Sequence, residues 1–316
     1  MSITAMKVFN DFMYTTVNET VAQQVNLFNT ATRGGIILKS ARNVGDFAED
    51  IFYTAFTTPV RRRDIYATGA VAAQAIGQAT ATKVKIAGAA GPFAFDPSQF
   101  TWIQKNPEEA AVVIGEQVSK AILQDYLNSA LRAANAAFGA NNSFDGSAGT
   151  MDLTDLNNGA RLLGDKAQDL ACWVMHSKPY FDLLGAAITN SNTLFTFGTI
   201  QVVTDGMGRP LVITDSPSLY LDAATDLYYT LGFVPGGAIV EDNGDFFANT
   251  ETTNGDENIN RTWQAEFTYN LGLKGFQWDK TNGGKSPTDA EVATATNWDK
   301  VATSTKNLGG VRVVTQ

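Results

Sequence analysis

The chain has 316 residues, is 44% hydrophobic and only 17% charged, and carries a formal net charge of −9. That length and apolar content allow a sizeable core spread over about two domains, and the acidic balance argues against a dedicated nucleic-acid-binding surface. A single cysteine, Cys172, excludes an intrachain disulfide.

The charge is uneven. Residues 1–63 hold seven Lys/Arg against five Asp/Glu, whereas residues 205–257 hold ten Asp/Glu against Arg209 alone. Two such segments suit different faces of one object. No signal-peptide pattern occupies residues 1–30, and no apolar run approaches bilayer length. The expectation is a protein made in the cytosol that stays soluble or assembles there.

Residues 1–60 lack a sustained period but are rich in aromatics, including Phe9, Phe12, Tyr14, Phe47, Phe52, Tyr53 and Phe56. They read as an extended arm with short helices near 17–28 and 45–53, stable only when laid on another surface. Arg61-Arg62-Arg63-Asp64 opens a second block. A small-residue stretch follows, then a strand at Lys83-Val84-Lys85-Ile86, a turn at Gly88–Pro92 and a returning strand from Phe93 to Ile103. The whole of 61–105 reads as a long two-stranded loop, marginal unless it leans on another chain.

Asn106-Pro107-Glu108-Glu109 then starts the longest element. Asn106 suits an N-cap, Pro107 the first helical position, and the two glutamates favour the positive end of the helix dipole. Ile114, Val118, Ile122, Tyr126, Leu127, Leu131, Ala134 and Phe138 recur at helical spacing, which predicts one rod of roughly 48 Å. Asn141–Thr150 is a linker. Helix (155–167), strand (170–175), helix (178–188) and strands (200–204, 210–214) predict a compact α/β unit. Strands at 227–233, 238–240 and 261–271, a short helix from Ser286-Pro287 and a closing strand at 311–315 complete the chain.

Residues capable of chemistry are present but not in working patterns. His176, the one histidine, is followed by Ser177, which is explained as the N-cap of the next helix. Asp145-Gly146-Ser147-Ala148-Gly149 lacks the first glycine of a nucleophile elbow. Gly284-Lys285-Ser286 lacks the upstream glycine of a phosphate loop, and Gly206-Met207-Gly208 joins two strands. Asp256–Asn260 begins like a calcium loop, but Arg261 replaces its glycine. Cys172 lies in the apolar run Leu170–Met175 and reads as a structural thiol. No catalytic residue, cofactor or metal site is expected. Arg61, Arg62 and Arg63 suit either phosphates or acidic groups of a neighbouring subunit; the second is preferred because no basic patch with interleaved aromatics surrounds them. Lys83 and Lys85 read as solvated strand lysines, with a covalent cross-link as the minor alternative.

The order of blocks resembles the major capsid proteins of tailed bacteriophages, whose shared architecture is the Hong Kong 97 fold. The resemblance rests on collinear pieces over roughly 60–300: Arg62-Arg63-Asp64-Ile65, Gly91-Pro92, Phe100-Thr101-Trp102-Ile103, Pro107-Glu108-Glu109-Ala110, Val174-Met175-His176-Ser177 with Tyr180–Leu184, Gly208–Asp215, Gly236–Ile239, Gly275–Trp278 and Asn297-Trp298. Members often carry His where Asn270 stands. The resemblance implies an α+β chain with an N-terminal arm (1–60), an extended two-stranded loop (61–105), a peripheral domain with the spine helix (106–150), an α/β axial domain (151–225) and peripheral return strands with a tail (226–316). It implies a structural protein, not an enzyme, that self-assembles through pentamers and hexamers into an icosahedral virion shell around double-stranded DNA, which it contacts non-specifically. Scaffolding, portal and decoration proteins would be further partners. Assembly would take place in the host cytoplasm, without a membrane. Arg61, Arg62, Arg63, Phe93, Phe95 and Trp102 are the candidate inter-subunit contacts. The alternatives are a cellular nanocompartment shell of the same fold and an α/β enzyme built on 152–225.

Overall fold

A computed structural model of the chain describes residues 3–53, 60–73, 75–189, 203–204, 208–254 and 260–316. Helix α1 (Ile3–Ala31) leads into strands β1 (Ile36–Ser40), β2 (Phe47–Tyr53) and β3 (Gln78–Ala94). Helices α2 (Pro97–Lys105) and α3 (Pro107–Asn141) follow, then β4 (Ser143–Asp145), α4 (Leu153–Arg161), β5 (Cys172–Met175) and α5 (Ser177–Thr189). The remainder is mostly strand: β6 (Val203–Thr204), β7 (Pro210–Ile213), β8 (Tyr220–Leu221), β9 (Leu227–Phe233), β10 (Ala238–Asp242), β11 (Phe247–Thr253), β12 (Asn260–Leu273) and β13 (Phe276–Trp278). Helix α6 (Asp289–Val292), β14 (Trp298–Lys300) and β15 (Gly310–Thr315) close the chain.

Two main sheets organise these elements. The first runs β1-β10-β12-β3-β2, with β11 paired along the N-terminal half of β12. The second runs β4-β15-β9-β5-β7-β6, with β8 beside β9. Strands from both sides of residue 225 therefore share the second sheet.

Helix α3 is the spine. Its 35 residues give a rod of about 52 Å at the usual rise. Tyr126 on its buried face meets Phe267 edge-on at 6.0 Å and Tyr269 at 4.6 Å, both on β12. Phe138, about three turns further on, meets Phe233 of β9 and Phe276 of β13. One helix thus packs against strands of both main sheets, and burial of large aromatics is the dominant stabilisation. At its start Pro107 occupies the first turn, but the Asn106 side chain does not cap the backbone; its Nδ2 donates to the Glu109 carboxylate at 3.2 Å.

Four local expectations are corrected. The arm opens with one 29-residue helix where a short one near 17–28 was expected. Phe9, Met13, Val17 and Val21, each four residues apart, are buried, and Gly115 of α3 lets Met13 and Thr16 approach closely. Residues 47–53 form a strand, not a helix, because they pair with β3 from Phe47↔Val84 to Tyr53↔Gln78. No strand returns from Phe93 to Ile103: β3 ends at Ala94, and Pro97–Lys105 is helical. Pro97 fits the first turn and Gln99 Oε1 accepts from the Asp96 amide, a start signal that outweighs the β-prone Phe-Thr-Trp-Ile run. Helix 155–167 is also shorter than expected, because Leu162–Gly164 turns it into a 3-10 segment and Gly164 has φ +59°.

No helix among the described residues is long and apolar enough to cross a membrane.

Candidate assembly interface

The two-stranded loop is built from β2 and β3. Strand β3 is shared: its first half pairs with β2, and the stretch from Val84 to Ala94 pairs with β12 from Leu271 to Thr262. The register shifts at Trp263/Ala265, opposite Gly91. Gly91 has φ +99°, and an added Cβ would sit 2.8 Å from the Trp263 carbonyl, so the irregularity needs glycine. The ribbon is therefore continuous with the body of the molecule at one end and free at the other.

Among its described residues the free end buries nothing. Residues 60–73 and 75–77 are exposed throughout. The Asp64 carboxylate accepts from the Tyr66 amide at 2.9 Å, a local turn that leaves Ile65 at 66% and Tyr66 at 86% exposure. Val60, Val71 and Ile76 are also exposed. Isolated exposed apolar residues need no explanation, but a concentration on one projecting segment marks an interaction surface.

The root of the ribbon is fixed by charge and amide networks that sequence patterns do not announce. Lys83 of β3 is 6% exposed. Its Nζ lies 2.6 Å from Asp50 Oδ2 of β2 and 2.7 Å from Glu241 Oε1 of β10, and Lys39 of β1 reaches the same glutamate oxygen at 2.9 Å. Gly272 of β12 leaves room for the Lys83 stem, since a Cβ there would fall 2.6 Å from Cγ. Burial alone would lower the Lys83 pKa, but the two carboxylates more than offset it and hold the ammonium above its ordinary value. Lys85 donates to the Asn43 carbonyl at 2.9 Å. Neither lysine is the solvated strand residue that was expected. Asn270, fully buried, donates to Asn243 Oδ1 at 2.9 Å, and Asn243 Oδ1 also accepts from the Asn43 amide at 3.0 Å. Tail residues add outer clamps: Lys280 pairs with Glu49 and lies over the Phe47 ring, and Lys285 pairs with Asp46 at 2.8 Å. The Lys285 contact holds the Asp46 carboxyl below its ordinary value.

The named contact residues divide into two groups. Arg61, Arg62 and Arg63 are exposed on the free segment and form no ion pair with a described residue. Phe93 is half exposed and stacks on Trp263, with ring centroids 5.9 Å apart. Phe95 and Trp102 pack partly buried against the chain's own core.

Beside the root lies a groove of about 550 Å³. Tyr53, Pro235, Ile239, Phe276 and Val301 supply apolar wall, with Asp50, Lys274 and Thr303 among its polar rim.

The chemistry-bearing residues elsewhere serve structure. His176 Nδ1 accepts from the Lys178 amide at 3.3 Å, and Asp215 accepts from the Ser177 amide at 3.2 Å. The imidazole and Asp215, in place of the Ser177 side chain, thus cap α5. Lys178 lies over the Tyr228 ring at 5.3 Å and pairs with Asp182. Asp145 accepts from the Ser147 amide in a local turn. Burial pushes the Cys172 thiol up to about 12. The calcium-like loop at Asp256–Asn260 lies mostly outside the described residues, as do Gly206 and Met207. Among the described residues no three His, Cys, Asp or Glu side chains gather to hold a metal.

A family model described as "Major capsid protein 13-like" matches residues 5–312. The chain belongs to the major capsid protein 13-like family. It is a phage coat protein that forms the head shell, and its role is structural. Among solved structures the fold is similar to the "Cyanophage Pam1 capsid asymmetric unit", at 11% identity and TM-score 0.53 over 89% of this chain and 88% of that one. A chain from Mycobacterium phage Adephagia matches at 10% identity and TM-score 0.55, covering 90% of both chains. The head structure of Helicobacter pylori bacteriophage KHP40 matches at 8% identity and TM-score 0.51, over 90% of this chain and 88% of that one. No curated protein sequence matches. At these identities the likeness is one of fold, and the fold is the α+β architecture of phage capsid proteins.

Proposed function

We propose that this coat subunit self-assembles into a closed icosahedral shell around double-stranded DNA by laying its β2–β3 ribbon on an adjacent copy. The observation that carries this is the ribbon's free end: residues 60–77, wherever described, are exposed and rich in apolar side chains, yet the base is locked by the Lys83 cluster. A monomer gains nothing from holding such a segment out in water. Covering it yields about 25 cal/mol per Å² of apolar surface, reduced by the cost of association and multiplied over many copies.

In this reading α1 and β1 are the arm, the β2–β3 ribbon over 47–94 is the loop, 106–150 with 226–316 the peripheral domain and 151–225 the axial domain. The sharing of the second sheet by β5, β7, β9 and β15 supports a rigid joint between the last two. Arg61, Arg62 and Arg63 meet acidic groups of the neighbour, and Phe93, Phe95 and Trp102 line the contact. The subunit does no catalysis. Scaffolding, portal and decoration proteins bind the shell, DNA is contacted non-specifically, and assembly occurs in the host cytoplasm.

The test is electron microscopy of the purified protein together with Ile65→Asp and Tyr66→Asp variants. Wild-type shells or rings, lost in both variants while each retains the wild-type unfolding midpoint, are expected. Shells formed equally well by the variants contradict the role given to the ribbon.

A further inference from the structure

Among the described residues the first sheet has three outer edges, on β1, β2 and β11, and the third is the least guarded. Strand β2 carries Glu49 and Asp50, the first clamped by Lys280 and the second by Lys83, and β1 carries Lys39. Strand β11 pairs with β12 along one side, in unbroken register from Phe247↔Glu266 to Thr253↔Asn260. No described backbone group takes up its other side. It has no lysine, proline or bulge to keep another strand away, and its one charge is Glu251. Its start is anchored, since Tyr14 of α1 lies 6.4 Å from the Phe246 ring. Phe247, 67% exposed, shares the water-facing side with Asn249, Glu251 and Thr253. On the other side the Thr250 hydroxyl oxygen is shielded from water and bonds to no described residue, a cost that a strand laid along the edge would remove.

Resting on the coat-subunit reading above, we propose that β11 is a two-fold assembly edge, which pairs antiparallel with β11 of a second copy about Thr250 and joins the first sheets of two subunits into one. The strand is self-complementary about that residue. A two-fold axis there sets Asn249 opposite Glu251 of the second copy, on both sides of the axis, and Phe247 opposite its Thr253. The amide donates to the carboxylate, the ring covers the threonine methyl, and the two Thr250 hydroxyls meet each other. Centring on Glu251 would set that carboxylate against its own copy, and centring on Asn249 would set it against the Phe247 ring. Backbone hydrogen bonds supply the attraction and these side-chain pairs fix the register. A contact across a two-fold is isologous, so it joins one ring of subunits to the next, a task that head-to-tail contacts within a ring do not perform.

Thr250→Cys places one thiol on the axis, and native Cys172 is buried. Opposite residues of an antiparallel pair stand about 4.5–5.5 Å apart, within disulfide reach. Mild oxidation of shells assembled from this variant is expected to link chains in pairs and no further. Asn249→Cys alone is expected to stay unlinked, and a co-assembled mixture of Asn249→Cys and Glu251→Cys to link as the mixed pair. Shells in which the thiol at position 250 stays free, or in which Asn249→Cys links to itself, overturn the proposal and leave the coat-subunit reading intact. Charge supplies a second readout. Asn249→Glu sets two carboxylates against each other on both sides of the axis, at an exposed position. It is expected to keep the subunit's unfolding midpoint and lose shell assembly, and Asn249→Glu with Glu251→Asn, which restores the pairing in reverse, to regain it. Wild-type assembly by the single variant, or no recovery in the double, overturns the proposal. Failure of the unmodified chain to form any ring or shell overturns the coat-subunit reading itself, and this contact with it.

Discussion

Replacing Lys83 by Met keeps most of the stem that fills the space over Gly272 and removes the ammonium that joins β2 to β10. Removing one partner of a buried pair costs about 3–5 kcal/mol when the remaining charge has no compensation. Compensation here is partial. Glu241 is 7% exposed at its side chain but keeps Lys39 at 2.9 Å, and Asp50 is 58% exposed and can rehydrate. The expected loss is therefore about 2–3 kcal/mol. Urea unfolding of the unassembled subunit measures it, as a lower midpoint at unchanged slope. The partner variant Glu241→Gln and the double variant complete a cycle, in which the double variant loses less than the sum of the singles because the ammonium and the carboxylate act together. The pH dependence has a definite sign. A lysine held above its ordinary 10.5 contributes stability that is fully present below that value and is lost as pH rises through the folded-state value. The difference between wild type and Lys83→Met should therefore shrink only in alkali above that point. A loss below about 0.5 kcal/mol, or strict additivity in the cycle, would refute the view that this cluster fixes the ribbon root.

Gly88→Ala would place a Cβ 2.4 Å from the buried Phe267 ring, which Tyr126 and Tyr269 hold in place; thermal or urea unfolding should show a loss of about 1–3 kcal/mol. Cys172, with its thiol pushed up to about 12 by burial, should ignore a thiol reagent at pH 8 in the native protein and react as one equivalent after unfolding. Asp125 on the spine helix is raised above its ordinary 3.8, chiefly by burial, against the hydrogen bond it accepts from the Tyr269 hydroxyl at 3.0 Å. A raised carboxyl favours the native state below its unfolded value, and that advantage is lost as pH rises through its folded value. Asp125→Asn should therefore flatten the stability–pH profile above pH 3.8 and be neutral or stabilising at pH 7; a steeper profile would contradict this.

The elements most legible in the sequence were those whose signal is local. Pro107 and the paired glutamates announce the spine helix, and its buried stripe from Val118 to Phe138 matches the periodicity. Leu170–Met175 and Leu227–Phe233 read as strands because apolar runs of that length fit little else, and β5 and β9 occupy most of both. The arm was misread because its apolar face is sparse: α1 gains its stability by packing against α3, where Gly115 admits Met13 and Thr16, a tertiary contact that propensity does not contain. Residues 47–53 were misread because Glu49 and Asp50 weaken a strand pattern, and the reason they are tolerated, Lys280 and Lys83, lies far away in sequence. At the ribbon tip the basic cluster Arg61–Arg63 was legible, whereas the exposure of Ile65 and Tyr66 beside it was not. The Lys83–Asp50–Glu241 cluster and the Asn43–Asn243–Asn270 network were not, because each joins segments more than a hundred residues apart, and only the sheet order brings them together.

The most direct measurement is cryo-electron microscopy of particles assembled from the purified chain. The account predicts closed icosahedral shells in which the ribbon tip of each subunit, around residues 60–77, crosses onto an adjacent copy, with Tyr66 covered. Shells in which every ribbon lies against its own subunit, or a chain that stays monomeric across salt and concentration, would contradict it.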